Sequence, residues 1–487
     1  MSKRRLALAA AVAVTAALTV PMAAQAAEAG PAASRLHDDF NGDGYPDLAI
    51  GAPPKNSAGT LKPGAVTVLY GSANGLSTSR RQVLDDSKVY DESHPTGYGS
   101  DLQSTDLDGD GYADLLSLVH WSPVDGDPGN TVTVNWGGPQ GLSADRDNLV
   151  RLPDSTWTTG FTVGDVDGDR HPDVITLGNE YGVEDGYGDV LNGPFDRSGS
   201  PARTSTFTID TDNFQIARTI AAGDVNGDGI ADLAVGAQDS EEPDSRKTAL
   251  LLGGSQGLSA PVWLRDPNGH RMGGEDLAIG DLNKDGYAEI VIGHPNDFYD
   301  SDLELPTKGG ALGVVYGGPN GVSTTRKPVW INQDTAGVPG AGERGDGMGT
   351  GLSIGDTDGD GYQDVATGLP GEDLGTLADA GSVLVLRGGA HGLTGTGAKT
   401  FHQNTTDVPG TAEKNDRFGA ATTLVDADGD KRYGLVVGDP AENANNGSVW
   451  VFAATSRGIT ASGSFTFGAA TVGVTPTGAR FGASLGD

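Results

Sequence analysis

Seven stretches of this chain space their acids for oxygen chemistry. In Asp356-Thr-Asp358-Gly-Asp360-Gly-Tyr362-Gln-Asp364, carboxylates stand at positions 1, 3, 5 and 9. With the backbone carbonyl of position 7 they offer a hard cation an oxygen shell. Glycines at positions 4 and 6 let the loop turn tightly enough to aim them. Carboxylates this close repel one another unless a divalent ion sits among them. Calcium suits such a set, because it accepts six to eight flexible oxygen ligands, whereas magnesium keeps stricter octahedral geometry and several waters.

The spacing recurs. The expected ligands are Asp39, Asn41, Asp43, Tyr45 and Asp47; Asp106, Asp108, Asp110, Tyr112 and Asp114; Asp165, Asp167, Asp169, His171 and Asp173. They continue with Asp224, Asn226, Asp228, Ile230 and Asp232; Asp281, Asn283, Asp285, Tyr287 and Glu289; Asp356, Asp358, Asp360, Tyr362 and Asp364. The position-7 residue gives only its carbonyl. About six Ca2+ sites are therefore expected. The seventh stretch keeps Asp426, Asp428 and Asp430, but position 9 is Gly434, and Lys431 and Arg432 crowd the acids. Weak binding or none is expected there. A plain turn accounts for one such stretch, but not for six at the same place in a repeat. An EF-hand begins identically, yet needs Glu at position 12 and flanking helices. Position 12 here is Ile50, Ser117, Thr176, Val235, Ile292 or Thr367.

The elements that hold these loops repeat with them, 57 to 75 residues apart. Ahead of each loop lies a short Gly-containing apolar stretch, such as "GYGSDLQST" or "GMGTGLSIG". Behind it comes a strand-like run, such as "DLAVGA" or "EIVIGH". A period-two strand follows, such as "GAVTVLYG" or "GSVLVLRGG", then a turn ("NGLS", "QGLS", "NGVS") and a last strand ("PVWL", "PVWI"). Four short strands per unit, with no helical periodicity, make an antiparallel sheet that needs cover on both faces. Radial stacking supplies it, so the fold predicted is all-β, a seven-bladed β-propeller. The final "RFGASLGD" repeats the opening of Arg417–Ala420, but no loop follows it. Asp39 conversely starts a loop with no such strand before it. The C-terminal strand is therefore expected to pair with the N-terminal segment and close the ring.

Residues 1–26 resemble a signal peptide: Lys3-Arg4-Arg5, an alanine-rich apolar run and an Ala24-Gln25-Ala26 cleavage pattern. A short linker, 27–36, would lead into the propeller, 37–487. A secreted, extracellular protein follows, with no membrane span after cleavage. There are no cysteines, which removes disulfides and thiol chemistry. With 66 acids against 32 bases the net charge is −34, which argues against nucleic acid as a partner.

"FNGDGYPDLAIGAP" resembles the FG-GAP repeat of the integrin α-subunit propeller and of secreted bacterial proteins built from that unit. Gly51–Pro53 keeps the "GAP" itself; Gly293–Pro295, Gly368–Pro370 and Gly438–Pro440 are close variants. The resemblance implies calcium on one face and an extracellular protein or glycan ligand on another, and a monomer is expected. It does not say which ligand. A binding or adhesion scaffold is therefore the expected function, ahead of a calcium-dependent polysaccharide lyase or hydrolase. "GLSIG" at Gly351–Gly355 matches a hydrolase elbow, but that motif needs a helix after the Ser, and a carboxylate loop follows here. The eight histidines share no spacing. Trp263, Trp330 and Trp450 fall in strand patterns and are expected to pack between blades, while Trp121 is a weak candidate for an exposed contact. Arg344–Asp346 spells "RGD" inside a loop that recurs at Gln403–Asp416, so it reads as blade structure.

Overall fold

The computed structural model describes residues 36, 38–53, 64–85, 97–119, 131–144, 149–151, 158–178, 187–209, 215–239, 246–297 and 308–486. Its strands form seven four-stranded sheets and one two-stranded ribbon. Every pairing within the four-stranded sheets is antiparallel. In blade six the strands run Thr350–Gly355, Asp364–Leu369, Ser382–Arg387 and Thr394–Phe401, in that spatial order. Blades two to five and seven repeat this meander. The sequence period of the hydrophobic pattern is therefore the period of the sheets.

Blade one differs, as the repeat arithmetic requires. Its chain-consecutive strands are Leu48–Ala52, Ala65–Leu69 and Arg81–Asp85, and its fourth is Ser484–Gly486. Ala49, Ile50 and Gly51 pair with Gly486, Leu485 and Ser484. The two ends of the propeller thus make one sheet, and no edge is left open at the join.

The core lies between blades. Seven clusters of buried apolar side chains each join two neighbours, for example blades five and six through Val291, Leu312, Val365 and Leu384. The seam between blades seven and one is closed by Leu48, Ile50, Val436, Val449 and Phe481. Trp450 is 2% exposed and packs against Phe418, and Trp263 and Trp330 lie against interblade clusters. Trp121 lies outside the described residues.

The "FG" and "GAP" phrases meet across these seams. A Cβ on Gly368 would collide with the carbonyl oxygen of Gly419 in the next blade, and Gly51, Gly293 and Gly438 stand in the same relation to Gly99, Gly349 and Gly482. Backbone here touches backbone, so only glycine fits. Gly349 and Gly419 also sit at φ +108 and +94, where a side chain would be strained. Blades two and three lack the "GAP" phrase, while at the seam between blades four and five a Cβ on Gly273 would collide with the backbone of Arg246 and Lys247.

Candidate metal loops and the surfaces around them

In blades two to seven the acidic loops join the innermost strand to the second, and in blade one the loop leads into the second. All therefore lie at one end of the blades. Each loop is tied by its own carboxylates. In loop six Asp356 accepts from the N–H groups of Gly359 (2.7 Å) and Gly361 (2.7 Å). Asp358 accepts from Asp360 N (3.1 Å), and Asp360 from Tyr362 N (2.9 Å). The position-7 residues Tyr45, Tyr112, His171, Ile230 and Tyr287 donate in the same way. Arg170 and Lys284 take the positive φ that glycine takes elsewhere.

The structure brings together one carboxylate oxygen each of Asp106, Asp108 and Asp114; of Asp165, Asp167 and Asp173; and of Asp356, Asp358 and Asp360, within 4.8 Å. Asp426, Asp428 and Asp430 converge equally well, although this is the loop in which weak binding is expected. The loops of blades one, four and five place asparagine at position 3 and so have fewer carboxylates to converge. In blade five, Asn283 turns away from the common pattern and donates to Glu289 at 2.7 Å. The described donors are all hard oxygens, a set that fits calcium.

Position 9 has a second role. Asp47, Asp114, Asp173, Asp232, Glu289 and Asp364 are all fully buried. In five of them one oxygen accepts from the position-2 N–H and the other from the glycine N–H after the third strand; Asp364 takes Thr357 N (3.1 Å) and Gly388 N (2.9 Å). Glu289 replaces the glycine by Asn283. The carboxylate is a clamp between loop and third strand. Burial, reinforced by the neighbouring loop acids, pushes Asp47 and Glu289 up to about 8, Asp114 to about 7 and Asp364 to about 6, despite the backbone N–H groups that favour the charged form. Asp364→Ala leaves two buried donors without an acceptor. It is expected to lower stability by about 2 to 6 kcal/mol, read by urea unfolding in chelator, where metal plays no part. Unchanged stability there would remove the clamp.

The loops also carry resident cations that sequence spacing does not reveal. Arg80 pairs with Asp43 (2.8 Å), Arg197 with Asp108 (2.6 Å) and Asp110, Arg203 with Asp167 (2.7 Å), and Arg432 with Asp430. Arg387, 16% exposed at its side chain, pairs with Asp358 and reaches Asp364 at 3.3 Å. Among the described residues, the loops of blades four and five have no such pair. A guanidinium on the coordinating oxygens competes with a metal ion for them. Arg387→Gln is expected to tighten calcium at loop six by roughly tenfold, about 1.4 kcal/mol, seen as a new high-affinity step in a calcium titration. An unaltered titration would show that the arginine does not compete.

Backbone bonds stitch the loops to the next blade at six of the seven joints; between blades two and three, Pro172 and Pro194 stand where the donors would be, and Arg197 reaches Asp108 and Asp110 instead. The position-1 carbonyls of Asp39, Asp165, Asp224 and Asp356 accept from Ala113, Ala231, Ala288 and Tyr433 of the next blade. The position-2 carbonyls of Phe40, Val166, Val225 and Leu282 accept from Gly138, Gly254, Gly318 and Gly389, and Ala427 accepts from Ser72 across the closing seam. Whatever fixes a loop therefore fixes a joint between blades.

The innermost strands of all seven blades enclose a central channel of about 890 Å³. At its end away from the loops, burial raises Asp101 to about 7 and Asp276 to about 6, and the charge of Asp276 adds to the rise at Asp101. Among the described residues, no His, Asp or Glu side chain is hydrogen-bonded to Ser353. Its Oγ accepts from Leu424 N (2.8 Å) of blade seven, and it is 4% exposed. Asp346 of the "RGD" is 2% exposed and holds Glu343 N at 2.7 Å, a structural role.

The FG-GAP repeat family matches residues 37–69, 217–245 and 348–386, and an FG-GAP-like repeat matches 106–176. Human integrin alpha-6 is 37% identical over 120 residues, 25% of this chain and 9% of the integrin. A phosphatidylinositol-glycan-specific phospholipase D of Mus musculus is 26% identical over 328 residues, 57% of this chain and 36% of the phospholipase. The chain thus spans about a third or less of these relatives. Among solved structures, the Dos1 propeller aligns with a TM-score of 0.38 at 10% identity, covering 80% of this chain and 78% of the other.

Proposed function

We propose that this chain, which carries FG-GAP repeats arranged as a seven-bladed propeller, is an extracellular, calcium-loaded recognition scaffold that binds a protein or glycan. The observation that carries the proposal is the repetition of one carboxylate loop at the same end of successive blades, each loop bonded to the next blade. Calcium would sit at the joints and stiffen the ring. Recognition would then fall to the opposite end, where loops between blades are free to vary on a rigid frame. A groove of about 720 Å³ opens there between blades five, six and seven and the closing strand, with Glu275, Asn296, Arg417 and Arg480 on its walls. These polar side chains suit a hydrogen-bonding ligand.

The test is an array of matrix proteins and acidic and neutral polysaccharides, probed with the folded chain in millimolar calcium and again in chelator. Calcium-dependent retention on one ligand class, weakened by Arg417→Ala, is the expected result. Shortening of a polysaccharide on the array, without retention, would replace the scaffold by a polysaccharide-active enzyme.

A further inference from the structure

A second acidic centre lies at the end of blade seven away from the loops. Asp439 ends the strand Gly434–Asp439, Asp416 precedes the strand Ala421–Val425, and Glu442 follows Asp439 by one turn. One carboxylate oxygen of each lies within 4.8 Å of the others. Asp439 is fully buried and Asp416 is 5% exposed.

Blade six contains the same construction, which makes it an internal control. There Gln333 Nε2 donates to Glu372 (2.8 Å) and Asp346 accepts from Glu343 N. In blade seven Gln403 Nε2 donates to Glu442 (2.8 Å) and Asp416 accepts from Glu413 N (2.5 Å). Gln333 and Gln403 each keep a buried Oε1 with no hydrogen-bond partner, so that feature is common to both. Among the converging side chains the difference is one residue: Leu369 in blade six stands where blade seven has Asp439. Asp439 Oδ1 accepts from Ala441 N (3.1 Å) and Glu442 N (2.8 Å), which holds the turn. Its Oδ2 is buried and has no partner, and one of its two oxygens converges with those of Asp416 and Glu442. A buried carboxylate oxygen beside two more carboxylates is a costly arrangement unless a proton or a metal cation meets it, and three acids converging with a buried amide oxygen offer a metal more oxygens than a proton needs.

We propose that Asp416, Asp439 and Glu442 form a further divalent-cation site, distinct from the seven loops and at the opposite end of the blades, with the Gln403 amide oxygen as a fourth donor once that amide turns. All four donors are hard oxygens, and calcium or magnesium is the class of ion they take. The ion would tie the connection leaving blade six, at Gln403, to the first and second strands of blade seven. It thereby fixes the border of the groove, which Pro440 and Ala441 line.

The site can be counted. Calcium bound per chain is measured by equilibrium dialysis for the full chain, Asp439→Asn and Glu442→Gln, with magnesium in a parallel arm. Each variant is expected to bind one ion fewer than the unaltered chain, with the loop sites retained. Leu369→Asp, made in the otherwise unaltered chain, is expected to add one ion in blade six, and it keeps the test alive if Asp439→Asn does not fold. Terbium supplies a local readout. Trp450 and Gln403 both border Gly410, at 3.5 Å and 3.9 Å from a Cβ placed there, so the part of the tryptophan-excited terbium emission that comes from Trp450 reports this centre, beside any from Trp136 near loop two. That emission is expected to fall in Asp439→Asn. Equal ion counts in the unaltered chain and its blade-seven variants, with terbium emission unchanged, would overturn the proposal. A loss of calcium confined to loop variants such as Asp356→Asn bears on the scaffold and leaves this count intact.

Discussion

Moving the protein from excess chelator into millimolar calcium is expected to raise its unfolding temperature by about 15 °C. An ion that binds only the native state at a hundredfold its dissociation constant adds about 2.7 kcal/mol. Six loops together add about 16 kcal/mol. Unfolding roughly 450 residues has an entropy near 1 kcal/mol per kelvin, and the quotient is the shift. Magnesium, with its demand for octahedral geometry and its retained waters, is expected to give less than half of it. The pH dependence carries the sign of the raised carboxyls. Asp47, Glu289 and Asp114 hold their protons to about 8, 8 and 7 in the fold, against ordinary values of 3.8 for Asp and 4.5 for Glu. The chelated fold therefore binds more protons than the unfolded chain. The stability these three groups contribute is fully present below about pH 4 and is lost as pH rises toward 8. Calcium takes the place of those protons, so its stabilising increment grows across the same window. Scanning calorimetry at pH 5 and pH 8, with and without calcium, reads both effects. A shift of under 3 °C at pH 8 would reduce the loops to a solvated acidic rim.

Removing the last strand is expected to be more damaging than removing all the metal. A chain ending at Arg480 loses Phe481, which is fully buried in the seam between blades seven and one. It also loses the ladder from Ser484–Gly486 to Gly51–Ala49 and the bond from Gly482 N to Gly51 O (2.9 Å). The aromatic side chain alone is worth about 3 to 5 kcal/mol. The strand Leu48–Ala52 is also left as a bare apolar edge, open to pairing with other chains. The expected result is an aggregating protein with no cooperative transition, seen by light scattering and circular dichroism. Phe481→Ala, which keeps the ladder, should remain folded and melt lower. A truncated chain that melts like the full one would show that blade one stands without its closing strand.

The propeller was legible because its information is periodic. Each "DxDxDG" marks the same corner of a blade, so seven copies count seven blades, and the unfinished "RFGASLGD" points to its partner at Leu48–Ala52. The ligand spacing was legible for the same reason, since positions 1 to 9 are contiguous. What escaped was set by contacts distant in the chain. Arg387 lies 29 residues from Asp358, and Arg197 lies 89 from Asp108. Only the third-strand ending "VLR", where blade two has Trp136 and blade five Tyr316, hinted at the first of these. The clamp at position 9 escaped because its partner is a glycine N–H two strands away, which no side-chain pattern records. The centre at Asp439 escaped because its acids come from two separate segments, and because "GDP" read only as a variant of "GAP".

The join in blade one also sets an order of events. Blades two to seven are meanders of neighbouring segments, and each can form as its own stretch of chain becomes available. Blade one cannot, because Gly51 waits for Ser484, in the strand pairing most distant in sequence among the described residues. Closing so long a loop is the slow kind of step. Until it happens the chain is an open arc with two sticky ends, and each end suits the matching end of another copy as well as its own. Dilution during refolding should therefore decide between closed rings and head-to-tail chains of arcs.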